Sequence, residues 1–218
     1  MFEFLYNFLG LNQEIFLYLN KITNYSNILV YILQIISYCF NISNFAIAYF
    51  IYSIYFYIRL KKIQDFGQFY IKFWPIYNRL FLLGIIYIIF GLTYTLLKFS
   101  VNLPRPFCSL PDHSFTTIAD VSLERCLSSF PSSHAGLTLI VAYSIWSNIT
   151  IPQKIVTALI MLLAALSRIT LAMHYPADII YSYIITAFII IISKTIFRTF
   201  SNNLIKRIGE IIIKKLYI

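Results

Sequence analysis

Long uncharged apolar runs, broken by short polar clusters, set the pattern of this chain. Residues 80–97, 135–151 and 179–193 carry no charge. Residues 155–167 are apolar, and the pattern continues to Met173 around the single charge of Arg168. A bilayer core about 30 Å thick takes about 20 helical residues to cross, and these runs are of that order. Residues 27–58 are uncharged over 32 positions, long for one span and short for two. They predict one span ending near Ile58, preceded by an interfacial or re-entrant piece over 27–40. Asn41, Ser43 and Asn44 mark the break. Residues 4–20 predict a short interfacial helix, or a first span. The expected fold is all-α: a polytopic transmembrane helical bundle of five to six spans in a single domain, 1–218. No internal repeat or low-complexity linker interrupts it.

Composition supports a membrane solvent. Of 218 residues, 60% are hydrophobic and 11% charged, against about a quarter charged in soluble domains. Mean hydropathy is +0.77. The net charge of +9 reads as the positive-inside bias. Its residues flank apolar runs instead of forming one solvated patch, so nucleic-acid binding is not expected. Met1-Phe2-Glu3 lacks a basic leader and no small-residue cleavage site follows, which argues against a cleaved signal peptide.

Charge also assigns sides. Arg59, Lys61, Lys62, Lys72 and Arg79 surround the connection over 59–79, with Asp65 as its one acid. The tail from Lys194 adds Arg198, Lys206, Arg207, Lys214 and Lys215 against Glu210. Both predict cytoplasmic exposure, and Lys154 marks a third such loop. The tail 198–218 reads as basic and amphipathic, with Leu204, Ile208, Ile211 and Ile212 at helical spacing on an inner membrane surface. The loop 98–134 and the turn at His174-Tyr175-Pro176 then face the other side. In that loop Lys98, Arg105 and Arg125 balance Asp112, Asp120 and Glu124. Cys108 and Cys126 lie in the same loop, and an oxidising compartment would let them pair. Cys39, in an apolar run, is expected to be an inert core thiol.

Three blocks on that predicted outer face carry chemistry. They are Lys98 with Arg105-Pro106, then Pro131-Ser132-Ser133-His134, then Ser167-Arg168 with His174 and Asp178. Lys98, Arg105 and Arg168 can offset the charge of a phosphate, and arginine presents a planar fork of donors to its oxygens. Arg168 follows thirteen uncharged residues, at a depth where an ionisable group is costly and marks function. Ser132 and Ser133 precede a helical run whose N-terminus offers free N–H groups to an anion. Pro176 suits a first helical position, which places Asp178 in a first turn with His174 just outside it. There Asp178 can hold one ring nitrogen of His174 and leave the other free for attack. Three histidines and eight scattered acids form no metal-ligand cluster. His113 is expected to take no part.

Ten identities match in order and spacing, where chance gives roughly one in twenty per position. The pattern resembles the type 2 phosphatidic acid phosphatase family, membrane relatives of the vanadium haloperoxidases, with its K-x6-R-P, P-S-G-H and S-R-x5-H-x3-D signature. The resemblance covers about 80–195; the first 60 residues, of which 1–42 read as an interfacial or first-span segment, and the tail match only in general hydropathy. It implies a lipid phosphatase in which His174 forms a phosphohistidine and Asp178 orients it. His134 protonates the leaving alkoxide and then activates water. Lys98, Arg105, Ser132, Arg168 and the N–H of Ser133 hold the phosphate. No metal or other cofactor is implied. Ser133 stands where the family has glycine, and relatives acting on polyprenyl diphosphates look similar there, so this departure bears on substrate more than on reaction. The implied partners are a membrane lipid phosphate and the bilayer, and nothing in the chain sets an oligomeric state. Composition rich in Ile, Asn, Lys, Tyr and Phe suggests a bacterial source, hence an inner-membrane protein with its site facing the exterior. The alternatives are a lipid phosphotransferase using the same phosphohistidine, and a non-catalytic membrane protein.

Overall fold

The computed structural model describes residues 6–116 and 124–217. The Met1-Phe2-Glu3 leader reading, the first residues of the expected 4–20 helix, Thr117, and the loop acid Asp120 lie outside the described residues, as does the side chain of Asp112. Every described element is helical. The main helices are α1 (Leu11–Asn20), α2 (Asn27–Cys39), α3 (Ile42–Lys61), α4 (Phe66–Val101), α5 (Pro106–Ser109), α6 (Ser133–Ile145), α7 (Ile151–Thr170), α8 (Pro176–Phe200) and α9 (Lys206–Tyr217). Side-chain caps mark the starts of some of them. Ser26 caps α2 by accepting from the Leu29 N–H, and Thr150 with Gln153 forms a capping box on α7.

The chain divides into two units. The first comprises residues up to Ile42 and Leu92–Ala187. In it α7 is the hub, packed against α1, α2 and α6. Phe16, Ala135, Ala165, Ile169, Ala172, Tyr175 and Ile179 form its buried apolar cluster. The small residues at 135, 165 and 172 let helices and loop approach closely. Helix α1 is short and seated in this unit: Asn12, Phe16 and Asn20, four apart, are its buried stripe. Asn12 Oδ1 accepts from the Ala177 N–H at the start of α8, 2.9 Å. Asn20 Nδ2 donates to the carbonyls of Thr170 (2.8 Å) and Thr116 (2.9 Å), and its Oδ1 accepts from the Thr116 N–H (2.7 Å).

The second unit comprises Ser43–Gly91 and Phe188–Ile218. Its core joins Leu60, Phe69, Phe73, Tyr77, Ile205 and Ile213. The tail helix α9 therefore buries a face against α4, not only against a membrane surface. Ile208 and Ile212 turn inward with Ile213, whereas Leu204 and Ile211 are exposed, so the expected four-residue apolar stripe is split. The expected 59–79 loop is also shorter. Asp65 accepts from the Gln68 N–H, 2.7 Å, and starts α4 at Phe66, with Pro75 inside the helix.

By length and composition, three of the described helical segments can cross a membrane, or four if α2 and α3 are one broken span. The expected break at Asn41 is present, since α2 ends at Cys39 and α3 begins at Ile42. The run 135–151 becomes the thirteen-residue α6 and a 3-10 turn, Trp146–Asn148. At 1.5 Å per residue that helix is about 20 Å long, short of the ~30 Å core. Cys39 is exposed, contrary to expectation. The inward face of α2 is Val30, Leu33 and Ser37, and two residues on from Ser37 a helix has turned about 200°.

Candidate active site

The three blocks converge in the first unit. Lys98 stands in the last turn of α4, and its Nζ donates to the Ser128 carbonyl, 3.1 Å. Asn102, left-handed at φ 49°, ends that helix. The chain then reaches Arg105, which is buried. The Arg105 N–H donates to the Cys126 carbonyl (2.9 Å), and the Ser129 N–H to the Leu103 carbonyl (3.0 Å). A disulfide joins Cys108 to Cys126. The two arms of the loop are thus tied beside the first cationic block. Arg105 Nη2 meets Glu124 Oε2 at 2.8 Å and Ser128 Oγ at 3.3 Å, and its Nη1 lies 3.4 Å from Met173 Sδ.

Ser132 is the N-cap residue of α6 and fully buried. Its N–H donates to the Asp178 carbonyl (3.3 Å), and its own carbonyl accepts from Ser182 Oγ (2.7 Å). Ser133 and His134 occupy the first turn of α6, half-buried. Tyr94 OH, from α4, is hydrogen-bonded to Ser182 and Thr186 on α8.

The spacing of the third block has a backbone explanation. Arg168 lies in the last turn of α7, buried, with Nη1 donating to Ser37 Oγ of α2 at 2.6 Å. Ala172 adopts φ 59°, a left-handed turn that costs a non-glycine residue about 1 kcal/mol. That turn brings the N–H groups of Met173 and His174 onto the Arg168 carbonyl, each 3.1 Å. Cation and imidazole are thereby fixed to one peptide group. Asp178 is the third residue of α8, and its Oδ2 reaches back to the Tyr175 N–H, 2.8 Å, half of a capping box.

Asp178 is fully buried and accepts three hydrogen bonds. Oδ1 accepts from Tyr6 OH at 2.8 Å; Oδ2 accepts from Ser129 Oγ at 2.5 Å and from the Tyr175 N–H. His174 Nδ1 is 3.4 Å from the same Oδ2. At that separation the geometry does not make a hydrogen bond, so Nδ1 has no hydrogen-bond partner among the described residues. Arg105 Nε, Arg168 Nε and Ser132 Oγ are likewise buried without one. These are three donors from three blocks, the chemistry an oxyanion takes. Burial first, then the charges of Arg168, Arg105 and Lys98 and the proximity of His134, hold the His174 imidazole well below its ordinary value of 6.5. It is a neutral ring at neutral pH.

Lys98, Arg105, Ser132, Ser133, His134, Arg168, His174 and Asp178 thus all fall in one unit, and hydrogen bonds or shared fields tie their blocks together. His113 is exposed in the loop, apart from them. Sequence reading missed Tyr6, Ser37, Glu124 and Ser129. The signal for α1 was there: two asparagines on the stripe that also holds Phe16.

This signature on an all-helical membrane scaffold defines a class. The family model of the PAP2 superfamily matches residues 79–202, and the chain belongs to that superfamily. Among solved structures it is similar to Aquifex aeolicus LpxE, with a TM-score of 0.64 and 19% identity over 85% of this chain and 95% of that one. No curated protein sequence matches. Family and fold support hydrolysis of a lipid phosphate.

Proposed function

We propose that the protein removes phosphate, as a monoester or diphosphate, from a membrane lipid through a phosphohistidine on His174, without a metal. The observation that carries this reading is the neutral, buried His174 beside Asp178, facing cations and unpartnered donors from the other two blocks. Lys98, Arg105, Arg168, Ser132 and the Ser133 N–H take the phosphate oxygens at the N-terminus of α6. His174 Nε2 attacks phosphorus and the bond to the lipid oxygen breaks. Burial and the charges of Arg168, Lys98 and Arg105 hold His134 below its ordinary value; a bound phosphate offsets those charges, so His134 takes up a proton from water and gives it to that oxygen. His134 then takes a proton from water, whose oxygen attacks phosphorus. The P–N bond breaks, and inorganic phosphate and free His174 return. Asp178 balances the positive charge on the phosphorylated ring.

The charge asymmetry of the loops, and a disulfide that suits an oxidising compartment, support a site on the outer face of a bacterial inner membrane. The test is phosphate release by detergent-purified protein from phosphatidic acid, phosphatidylglycerol phosphate, a polyprenyl diphosphate and lipid A phosphates. Activity should survive EDTA and be blocked by vanadate, and His174→Ala should abolish turnover and any trapped phosphoenzyme. Normal turnover by His174→Ala refutes the reading. Phosphate passed to an added lipid acceptor, with none in solution, identifies a phosphotransferase instead.

A further inference from the structure

We propose that Tyr6 and Ser129 are positioning residues that hold the Asp178 carboxylate against His174, so that a segment outside the matched 79–202 region completes the nucleophile's support. The inference rests on the reading of His174 as nucleophile. An ionised carboxylate offers about four lone-pair directions. Three are taken, by Tyr6 OH, Ser129 Oγ and the Tyr175 N–H, and the oxygen that takes two of them is 3.4 Å from His174 Nδ1. The carboxylate's rotation is therefore fixed by groups on three separate segments of the chain. No lysine or arginine forms an ion pair with Asp178 among the described residues. The three hydrogen-bond donors are neutral, so its charge remains available to the imidazole when phosphorus binds the other nitrogen.

Helix capping alone does not call for this arrangement. The Tyr175 N–H already satisfies the capping geometry, whereas Tyr6 comes from 172 residues away. Its ring is held edge-on by Phe130 at 6.1 Å and Tyr175 at 6.5 Å. Burial, and then the adjacent carboxylate, keep the Tyr6 phenol protonated, so its O–H is there to donate to Asp178. Ser129 sits three residues after the loop's disulfide half Cys126 and three before the α6 N-cap Ser132. It couples the phosphate-binding blocks to the nucleophile's carboxylate.

The test uses the full-length enzyme in detergent and the lipid of the panel turned over fastest. Tyr6→Phe and Ser129→Ala should each lower kcat about 10- to 100-fold, the range for hydrogen bonds to a charged group. KM and the vanadate inhibition constant should stay within about threefold, because neither residue touches phosphate. The double variant should lose less than the product of the two, since both act through one carboxylate. Ser129→Thr should restore most of the rate. Either single variant within about twofold of wild type overturns the proposal. So does a fall of kcat, vanadate affinity and thermal midpoint together, which marks a purely structural role. His174→Ala run beside them separates the two readings. If it turns over, the nucleophile assignment fails; if it is dead while Tyr6→Phe and Ser129→Ala are normal, only this inference fails.

Discussion

Burial and three cations act on His174 in one direction, and this has a consequence for stability. The folded state holds the ring neutral well below 6.5, while the unfolded chain takes up a proton near 6.5. Below about pH 6.5 the unfolded state binds more protons, so the stability contributed by neutral His174 is present above that pH and lost as pH falls. Compared with His174→Asn, the wild type should lose up to about 1.4 kcal/mol per pH unit below 6.5. Unfolding in detergent at pH 7.5 and 5.5 checks this, and a gap independent of pH contradicts it. A second residue-scale expectation concerns Ser37. It gives Arg168 Nη1 its 2.6 Å partner in a buried setting. Ser37→Ala leaves that donor unpaired, and unfolding measurements should show a loss of about 1–3 kcal/mol. Arg168 was legible in the sequence because a lone cation in an apolar run is conspicuous. Ser37 was not, and neither was Tyr6: serines scatter through the chain and tyrosine occurs 18 times, so only the fold distinguishes those that meet a charge.

At the scale of elements, the helices hold the site through a few polar contacts within apolar packing. Asn20 joins α1 to the end of α7 and to the loop at Thr116 by three hydrogen bonds. Asn20→Ala should destabilise the protein by about 2–4 kcal/mol, at roughly 1 kcal/mol for each lost bond; an unchanged thermal midpoint counts against it. In the second unit, a Cβ on Gly209 would come within 2.7 Å of the Trp74 ring. Gly209→Ala should therefore cost about 1–3 kcal/mol through overpacking, although alanine favours helix; a midpoint at or above wild type contradicts this. The helix break at Asn41 was readable because polar residues interrupt an apolar run. The start of α4 was not. Lys72 and Arg79 mark where apolar character begins, and a helix continues through such a boundary once Asp65 caps it. The length of α6 was likewise hidden, because hydropathy alone does not show where residues 146–148 tighten into a 3-10 turn.

At the scale of the whole molecule, the loop that carries Arg105 bears on the compartment proposed for the site. Backbone pairing of Arg105 with Cys126 and of Leu103 with Ser129 is reinforced by the Cys108–Cys126 bond across 18 residues. Closing a loop of that size removes unfolded-state entropy worth about 3 kcal/mol. It also holds Arg105 beside Ser128, where Nη2 meets Oγ. Such a bond persists where thiols oxidise, and the basic excess elsewhere in the chain independently supports the proposal that this loop faces outward. Two consequences can be checked on one protein. Alkylation before reduction should leave Cys108 and Cys126 unmodified, and reduction should lower the thermal midpoint. In a Cys39→Ser background, which removes the exposed free thiol, a reporter at Ser114→Cys should react with an impermeant maleimide on intact spheroplasts. Ser114 is suited to this because it is exposed in the 3-10 turn Asp112–Ser114 of the same loop. Labelling only after permeabilisation would place the loop inside, and with it Arg105. Periplasmic dephosphorylation would then give way to a cytoplasmic reaction in which the disulfide has no oxidising compartment to form in.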